Sequence, residues 1–555
     1  MKKGIIILFI FCSVAIYAQE QGLDVQEVDV VEQFVPTIPP ARKIVDIPKI
    51  ADTVKVQKKP HYSTLSRQYQ TSYQIDTIRA AKIKGEPITR LYQTYLKLGL
   101  GNTALPSFEG YYNSLRNKQW SYGVEAAYHN SPAKAEGYDA AFQQTKIAAY
   151  GKGVFDFGIL NTNISRKANV FSAHGMQDDL SEQYMHQYWG YSQFNVSLES
   201  KHNNRDRLRY FTAIHLSDLN EMTENNYSFE SLIRKRFGAY DYSTGFKADL
   251  YTNNMATNMA FASDPETEGV YTLSARFYGD FYGVKVSAGF DEVINNRMAD
   301  TVGLNFYFYP NFRADYEIVA KIFKVYGGVR SGLKKNSYWS LSEENPFVLN
   351  AFQYDGDAID LKNTSSLDFY AGLNTYFNSD IRLGAEFSYA DRKDMIFFAR
   401  NENPNYYLNK FSVLYDNVKH LSVQANANWS PSDNKGITLS VVHHFYNLTN
   451  LTYPSGIPSF ETNLNGFYNL GDKIIGHLDV YSAYNRMAER TGQVGESLME
   501  IDLGNIIDFD LKVEYRYNKL LSAYLSGKRL IGGYEIWQNY PVIPRQIQLG
   551  ISYQL

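Results

Sequence analysis

The feature that constrains this chain most is an alternation of apolar and polar residues that recurs throughout its last 465 residues, 91–555. In the segment 381–389, apolar residues occupy the odd positions, and polar or small residues occupy the even positions. The segment 421–429 repeats the alternation, and its apolar face ends in Trp429. Successive side chains of a strand point to opposite faces, so each segment presents one apolar and one polar face. Segments of about ten residues with this pattern are typical of lipid-facing barrel strands.

The connections separate a membrane barrel from a soluble β-sandwich, whose strands also alternate. Outer-membrane barrels pair short periplasmic turns with long extracellular loops. Long polar stretches cover 333–364, 392–407, 487–505 and 529–544. Short turn signals lie at or near ten positions, namely Asn117, Lys152, Asn203, Phe237, Phe281, Ala320, Ser379, Pro431, Gly471 and Asn518. Ten hairpins plus a first and a last strand predict an all-β fold. It is a transmembrane antiparallel β-barrel of about 22 strands (range about 18 to 22), with both ends of the barrel chain in the periplasm.

Proline positions test this assignment, because proline removes a hydrogen bond from a central strand. Ten of the eleven prolines after Leu91 fall in predicted loops or turns. The exception is Pro310, inside the segment NFYFYPNFRADYEI. We therefore expect either that this strand starts at Pro310 or that it carries a bulge.

The N-terminal part divides into two segments. Residues 1–18 have the pattern of a secretory signal peptide, with two lysines, an apolar stretch and a final alanine. Residues 19–90 carry six prolines in 72 residues, which predicts an extended periplasmic tether before the barrel at 91–555. Apolar residues within this tether are spaced to fit a groove of a partner protein, and an ordinary linker is the alternative. The candidate docking residues are Ile44, Ile47, Pro48, Ile50 and Val54.

Composition excludes several classes of function. The chain carries 55 basic and 58 acidic side chains, a formal net charge of −3, which argues against a nucleic acid partner. Beyond the first 20 residues no apolar stretch is long enough for a membrane-spanning helix, which excludes a helix-bundle transporter. Cys12 is the only cysteine and lies in the signal peptide. The mature chain is therefore expected to have no disulfide, thiol nucleophile or thiolate metal site.

Histidine pairs are the strongest candidates for a catalytic or metal site, and neither pair predicts one. His477 and Asp479 share a strand face, but no nucleophile motif accompanies them, so we interpret them as polar lumen wall. His443 and His444 point to opposite faces of one strand, with His443 toward lipid, so they cannot bind one metal ion. We expect no enzyme activity, no catalytic residue, no metal site and no cofactor.

Loop acids and aromatic residues receive similar interpretations. Acidic residues at 343, 344, 355 and 357 lack the spacing of a Ca²⁺-binding loop and are interpreted as solvated charge. The aromatic run 306–309 is interpreted as part of a membrane-interface girdle, with sugar stacking as the alternative. Polar residues on the inward faces are expected to line the lumen and solvate a passing solute. They are Arg382, Glu386, Gln424, Asn426 and Asn428.

Three blocks of sequence carry a resemblance to a known family. They are VPTIPPARKIVDIPKIADTV at 35–54, IRAAKIKGEPITRLYQTYLKLGLGN at 78–102 and the terminal strand RQIQLGISYQL. In them the chain resembles the TonB-dependent-receptor-like barrels of Bacteroidota, and more narrowly a branch that lacks a full plug. The terminal strand also resembles the signal read by the barrel-assembly machinery, carried by Gly550, Tyr553 and Leu555, with leucine in place of the usual final aromatic.

The resemblance implies an outer-membrane barrel of about 22 strands, usually associated with uptake driven by an inner-membrane energy-coupling protein. The plug domain of that family is longer than the 72 residues of 19–90, so the plug is expected to be absent. Only EVDVV at 27–31 resembles a TonB-contacting box.

Two functions follow from these patterns. One is a transport channel or plug-less receptor-like protein of a Gram-negative outer membrane. The other is an accessory subunit of an assembly or secretion complex that docks through its N-terminal segment. The expected partners are outer-membrane lipid, the barrel-assembly machinery and a periplasmic or outer-membrane protein.

Overall fold

The computed structural model describes residues 91–103, 106–135, 138–172, 186–202, 204–219, 224–253, 266–297, 304–348, 353–354, 357–358, 361–401, 410–491 and 499–555. The signal peptide, the tether with its candidate docking residues Ile44, Ile47, Pro48, Ile50 and Val54, and the segment 27–31 lie outside the described residues. What the sequence predicts for them stays a prediction.

Twenty-two strands form the barrel, numbered here in chain order. The first eleven are β1 (Thr94–Gly101), β2 (Ser107–Asn113), β3 (Trp120–Ser131), β4 (Phe142–Val154), β5 (Ile159–Ser172), β6 (His186–Glu199), β7 (Arg209–Leu219), β8 (Glu224–Phe237), β9 (Tyr240–Asn253), β10 (Glu266–Phe281) and β11 (Val284–Arg297). The others are β12 (Leu304–Val319), β13 (Phe323–Lys334), β14 (Thr364–Tyr376), β15 (Ile381–Asn401), β16 (Phe411–Ser432), β17 (Lys435–Leu448), β18 (Phe460–Leu470), β19 (Ile474–Tyr484), β20 (Ile506–Arg516), β21 (Leu521–Lys528) and β22 (Gln546–Gln554).

Each strand pairs antiparallel with the next along the chain, and β1 pairs with β22 to close the barrel. This confirms the predicted all-β, 22-strand antiparallel barrel. Ten connections at one end are short, and we call this the short-turn end; Leu91 and Leu555 lie there. At the other end, the long-loop end, the described residues form four short two-stranded hairpins and the helix α1 (Tyr338–Glu344). Within the described part of the chain, no helix is long and apolar enough to cross a membrane.

Two sequence expectations about element bounds are wrong. The predicted loop at 392–407 starts too early, because β15 continues to Asn401 beyond a bulge between Arg392 and Met395. The turn predicted near Lys152 lies later in the chain, because β4 runs to Val154. In both places the strand extends past a polar residue that a sequence pattern takes as the start of a connection.

The strand does not start at Pro310, and its register shift with β13 lies later, between Glu317 and Val319. β12 begins at Leu304, and its register with β11 is unbroken through the pair Phe290↔Pro310. On the other side, the regular ladder between β12 and β13 begins only at Phe312, so no ladder bond to β13 is formed at Pro310. Side chains bridge the strands there instead. The amide of Ser331 donates to Oδ1 of Asn311 at 3.1 Å, and Oγ of Ser331 donates to the Pro310 carbonyl at 2.5 Å.

The two faces of the wall differ in chemistry, as the alternation predicts. On β15, Leu383, Phe387 and Tyr389 are exposed on the outer face. The inner face carries paired charges from neighbouring strands, such as Arg276 Nη2 to Asp291 Oδ2 at 2.6 Å. Similar pairs join Lys97 to Glu109, Lys146 to Glu125 and Lys324 to Asp315 across neighbouring strands, and Lys247 pairs with Asp249 within β9. Paired charges are tolerated on a polar lumen wall, whereas a lipid-facing charge is destabilising.

Candidate functional site

A helix in the β13–β14 connection forms the centre of the candidate site. The helix α1 starts after Ser337, whose Oγ accepts from the Ser340 amide at 3.2 Å. The Ser340 hydroxyl accepts in turn from the Ser337 amide at 2.9 Å. This reciprocal pair is a capping box, which satisfies two amides that a helix start would otherwise leave unpaired.

The inner wall of β5 to β8 holds α1, although the chain enters the helix from β13. The carboxylate of Glu224, the first residue of β8, accepts from the amides of Tyr338 at 2.6 Å and Trp339 at 3.2 Å. The Trp339 ring stacks on Tyr191 of β6 with centroids 4.0 Å apart. Nε1 of Trp189 donates to the Pro346 carbonyl at 2.8 Å. The connection therefore crosses the long-loop end and is fixed to strands on another part of the wall.

The β21–β22 connection packs on the same segment. The Tyr540 ring lies 3.9 Å from the Phe347 ring and 5.6 Å from the Phe411 ring, measured between centroids. The guanidinium of Arg486 donates to the Glu535 carbonyl at 2.7 Å and to the Ile536 carbonyl. We define the loop cap as the described residues of 335–363 together with 529–545.

An apolar core stabilises the loop cap. Its buried members come from the cap and from strand ends beneath it: Trp189, Leu219, Tyr338, Leu341, Phe347, Val348, Leu361, Ile396, Phe398, Phe411 and Tyr540. Complete burial of a large apolar side chain contributes about 1.5 to 3 kcal/mol relative to exposure. A cluster of this size is a packed core, so the loop cap is an ordered part of the fold.

Polar contacts surround this core. Glu268 of β10 accepts from Lys335 Nζ and, at 2.6 Å, from Nδ2 of Asn363, so both ends of the β13–β14 connection meet one carboxylate. Lys167 Nζ lies 3.6 Å from the Glu343 carboxylate and 5.2 Å from the centroid of the Trp339 ring. Glu343 thus contacts a strand cation while its side chain stays 49% exposed, so the contact does not contradict its interpretation as solvated charge.

A cavity of about 930 Å³ lies between the loop cap and the wall formed by β2 to β5 and β20 to β22. Its lining combines aromatic rings with charges of both signs. The members with carboxylate, ammonium, guanidinium or imidazole groups are Glu109, His129, Lys146, Lys167, Glu343, Glu344, Asp510, Lys528 and Arg529, and the aromatic members include Phe171, Phe347, Trp537 and Tyr540. Such a lining can bind a polar or zwitterionic solute of small-molecule size.

Comparison with known proteins bears on the fold. No protein-family model matches the chain, and no curated protein matches it. Among solved structures, the FrpB iron transporter of Neisseria meningitidis aligns with a TM-score of 0.63 at 10% identity, over 84% of this chain and 82% of that one. The siderophore receptor PirA of Acinetobacter baumannii aligns with a TM-score of 0.62 at 11% identity, over 85% and 81%. The pyoverdine outer membrane receptor FpvA of Pseudomonas aeruginosa gives 0.61 at 10%, over 85% and 79%.

The fold is that of TonB-dependent-receptor-like outer-membrane barrels. At these identities the similarity concerns architecture alone. It agrees with the resemblance inferred from the sequence at the level of the 22-strand barrel.

The five predicted lumen residues lie on the face opposite the exposed apolar side chains. Glu386 accepts from Tyr326 Oη at 2.9 Å and lies 3.9 Å from Arg330. Nδ2 of Asn428 donates to Thr438 Oγ1 at 2.9 Å. Nε2 of Gln424 donates to Oδ1 of Asn426 at 3.4 Å, and the Arg382 guanidinium lies 5.0 Å from the centroid of the Tyr376 ring. These residues form a polar stretch of wall outside the cavity, and their contact with a solute stays a prediction.

The histidines form a different pair from the one considered in the sequence. Nε2 of His420 lies 2.9 Å from Nδ1 of His444, and Nε2 of His444 lies 3.7 Å from the Glu461 carboxylate. His443 instead stacks on Phe445, with centroids 4.3 Å apart. Among the described residues, no group of three or more metal-ligating side chains converges.

The aromatic run 306–309 divides between the two faces. Phe306 and Phe308 are exposed on the outer surface, as a girdle requires. Tyr309 is buried, and its Oη donates to Ser365 Oγ at 3.0 Å. The girdle interpretation therefore fits the phenylalanines and does not fit Tyr309.

Sequence reasoning missed the residues that hold the loop cap. Glu224 is one carboxylate among the 58 acidic side chains, and nothing in its neighbourhood marks it as a helix anchor. A usable signal was present in the segment 337–348, where two aromatic residues follow Ser337 and Pro-Phe follows a few residues later. Aromatic and apolar residues at this density in a long loop indicate a buried surface.

We expect Glu224→Ala to release α1 from the wall. The substitution leaves two buried amides without their carboxylate, which costs about 2 kcal/mol and should speed local opening about thirtyfold. Because Cys12 is the only cysteine in the sequence, a Ser342→Cys reporter on α1 can be followed by maleimide labelling. Glu343→Ala, which removes only a partly exposed ion pair, should leave the labelling rate nearly unchanged. Equal rates in the two variants would contradict the anchoring role of Glu224.

We also expect the contact of Lys410 to depend on pH. Lys410 is 4% exposed, its ammonium donates to Gln187 Oε1, and burial lowers its pKa from 10.5 to about 8. The packed state therefore disfavours protonation, and its stability should rise as pH increases from about 8 toward 10.5. Lys410→Met should remove this dependence. The measurement is the ratio of chymotrypsin cleavage rates in the loops, variant over wild type, at pH 7 and pH 9.5. A ratio that does not change with pH would contradict the role of Lys410 in the pH dependence.

Proposed function

We propose that this protein is an outer-membrane transport protein: a channel or a TonB-dependent-receptor-like barrel without a plug, closed at its long-loop end by the loop cap. The observation that carries the proposal is the 930 Å³ cavity with charges of both signs beneath an ordered cap. A solute that enters this cavity meets a wall already lined with paired charges. A charged group of the solute can replace one partner of such an ion pair with little rearrangement of the backbone.

We infer the orientation from connection length. Short turns face the periplasm in outer-membrane barrels, which supports a loop cap outside the cell and an N-terminal segment in the periplasm. The terminal strand supports insertion by the barrel-assembly machinery of a Gram-negative bacterium. Tyr553 and Leu555 are exposed on its outer face, where another protein can reach them, and Gly550 lies on the inner face. A source in Bacteroidota rests on the sequence resemblance.

Closure by loops makes a separate plug unnecessary for a sealed barrel. A barrel of this strand number has a lumen that something must fill or cover. Four wall segments and two connections contribute to the core of the loop cap, which supports a stable cover at one end. A binding chamber under a stable cover is a transport site and needs no catalytic groups, so we propose that the protein is not an enzyme.

A second candidate function is an accessory subunit of an assembly or secretion complex. The packed loop cap favours it, because a barrel closed at its mouth can serve as a membrane anchor. The docking residues would be the apolar positions of the tether: Ile44, Ile47, Pro48, Ile50 and Val54.

One pair of measurements separates the two functions. A tagged protein is extracted from its native outer membrane in mild detergent, with and without residues 19–70, and the partners are identified by mass spectrometry. Stoichiometric partners that disappear with the deletion would favour the accessory subunit. A lone barrel that takes up or conducts solute in proteoliposomes, with or without residues 19–70, would favour transport. A lone barrel with no flux under any condition would contradict the transport function.

A further inference from the structure

Positive charge is concentrated at one place on the short-turn end. The β6–β7 connection and the facing ends of β7 to β9 contain seven cations and two acids, a net charge of +5 by 7 − 2. The whole chain has a net charge of −3. The cations are Lys201, Arg205, Arg207, Arg209, Arg234, Lys235 and Arg236, and the acids are Asp206 and Asp241. The β6–β7 connection itself, 200–208, carries four charged residues, whereas each of the other nine short connections carries at most two. We call the seven cations and two acids named above the basic rim.

The backbone forces these cations together. The Arg236 amide donates to the Arg205 carbonyl at 3.1 Å, and Arg209 lies directly opposite Arg234 in the β7–β8 ladder. Like charges directly opposite each other destabilise a strand pair. Among the described residues, the acid within ion-pair distance of these cations is Asp241, which lies 3.8 Å from Arg205 and 3.5 Å from Arg209. The Nε atoms of Arg209 and Arg236 are buried and make no hydrogen bond among the described residues. Ile233 and Phe237 are exposed on the outer face, so Arg234, Arg236 and the facing Arg209 point to the lumen, whereas Lys235 points outward. With seven cations against two acids, the basic rim has a net positive charge.

An apolar groove on the outer face of the barrel adjoins the basic rim. The groove has a volume of about 470 Å³. The floor of the groove is formed by residues with small side chains: Thr244 and Ala275, which lie opposite each other, and Ala288, which lies opposite Phe277. Larger side chains stand around this floor, namely Leu208, Ile233, Tyr242, Phe277 and Phe290. Lys235 also lines the groove, with its ammonium 5.0 Å from the centroid of the Phe237 ring.

We infer that the groove and the basic rim together bind one anionic glycerophospholipid of the surrounding bilayer. An acyl chain lies in the groove, and the phosphate group is held by Lys235 and by the exposed arginines Arg205 and Arg207. A lysine on a lipid-facing surface extends its ammonium toward the headgroup level, where a phosphate oxygen can accept from it. Arginine adds two donors in a fork that matches phosphate geometry.

The identity of the lipid follows from the place of the rim. With the short turns in the periplasm, as under the proposed function, the site faces the leaflet made of glycerophospholipid. The inference rests on the proposed orientation and does not require a particular solute. The tests of the transport function and of lipid binding can therefore fail or succeed independently.

The test uses the full-length barrel purified in detergent, with phosphatidylglycerol and phosphatidylcholine as probes, followed by native mass spectrometry and lipid titration. The triple variant Arg205→Gln, Arg207→Gln, Lys235→Gln removes the three reachable cations. A basic residue near an anionic lipid contributes about fivefold in affinity, so the triple variant should lose about a hundredfold for phosphatidylglycerol. The matched control Lys321→Gln, Lys473→Gln, Lys519→Gln removes three cations from other short turns and should bind as wild type does.

Retention of the folded gel mobility in unboiled samples shows that each variant is folded. Ala275→Leu, which fills the floor of the groove, should lower phosphatidylglycerol binding while leaving the cations in place. Selective binding of phosphatidylglycerol by wild type and control, lost in the triple variant, supports the site. Equal binding by wild type and the triple variant, an equal loss in the control, or equal affinity for phosphatidylcholine would each overturn it. Tighter binding of lipid A than of phosphatidylglycerol would also overturn it.

Discussion

Gly550→Ala should prevent the barrel from closing normally, because Gly550 lies at the seam where β22 meets β1. It pairs with Gly99 across the seam, and the Tyr524 ring of β21 packs over it. A Cβ at position 550 would lie 2.3 Å from the Leu98 carbonyl oxygen and 2.4 Å from Tyr524. The carbonyl belongs to the backbone and cannot rotate away. Overpacking of this kind costs about 3 kcal/mol, at the upper end of its usual range.

The measurement is the fraction of protein that refolds from urea into detergent micelles, read from heat-dependent gel mobility. This assay contains no assembly machinery, so it separates closure of the seam from recognition of the terminal strand. Gly476→Ala on β19 is the matched control, because no atom lies within 4 Å of its added Cβ. Gly99→Ala should have a smaller effect, since its close neighbours are the ends of the Gln548 and Tyr524 side chains. Equal refolding of Gly550→Ala and Gly476→Ala would contradict the role of the seam.

The barrel was predictable from the sequence because the membrane imposes one rule on every strand. Lipid on one side and a polar lumen on the other require alternation, and the short turns between alternating segments give the strand number. Pro310 marks the limit of this reasoning. Proline is tolerated inside β12 because the β12–β13 ladder has a gap there and the side chains of Asn311 and Ser331 bridge the two strands. No local rule predicts these contacts.

The loop cap could not be predicted in the same way. Its contacts join positions far apart in the chain, such as Glu224 with Tyr338 and Phe347 with Tyr540. No periodicity relates these residues, because irregular connections have no repeating geometry. What the sequence offered was composition alone: aromatic residues inside long loops, which solvent exposure does not favour. The same limit explains why the sequence did not predict the cavity between the loop cap and the wall.

Removal of the α1 segment should open the barrel. Replacing residues 337–348 with a Gly-Ser linker of equal length deletes Tyr338, Leu341, Phe347 and Val348 from the apolar core of the loop cap and leaves all 22 strands intact. In planar bilayers we expect conductance to rise about tenfold over wild type, because a lumen of this strand number is wide enough to conduct once its mouth is uncovered. A two-residue insertion in the β16–β17 turn, at the opposite end, is the control and should conduct as wild type does.

The same experiment on a chain without residues 19–70 identifies the barrier. If the linker variant conducts only when residues 19–70 are also absent, the N-terminal segment and the loop cap both close the pore. If deletion of 19–70 alone opens it, the loop cap is not the seal, and the closure proposed here is wrong. If the linker alone is sufficient, the cap is the main barrier, and the solute must displace α1 from Glu224 and Tyr191 to reach the lumen. Release of α1 would then be the step that admits solute to the cavity.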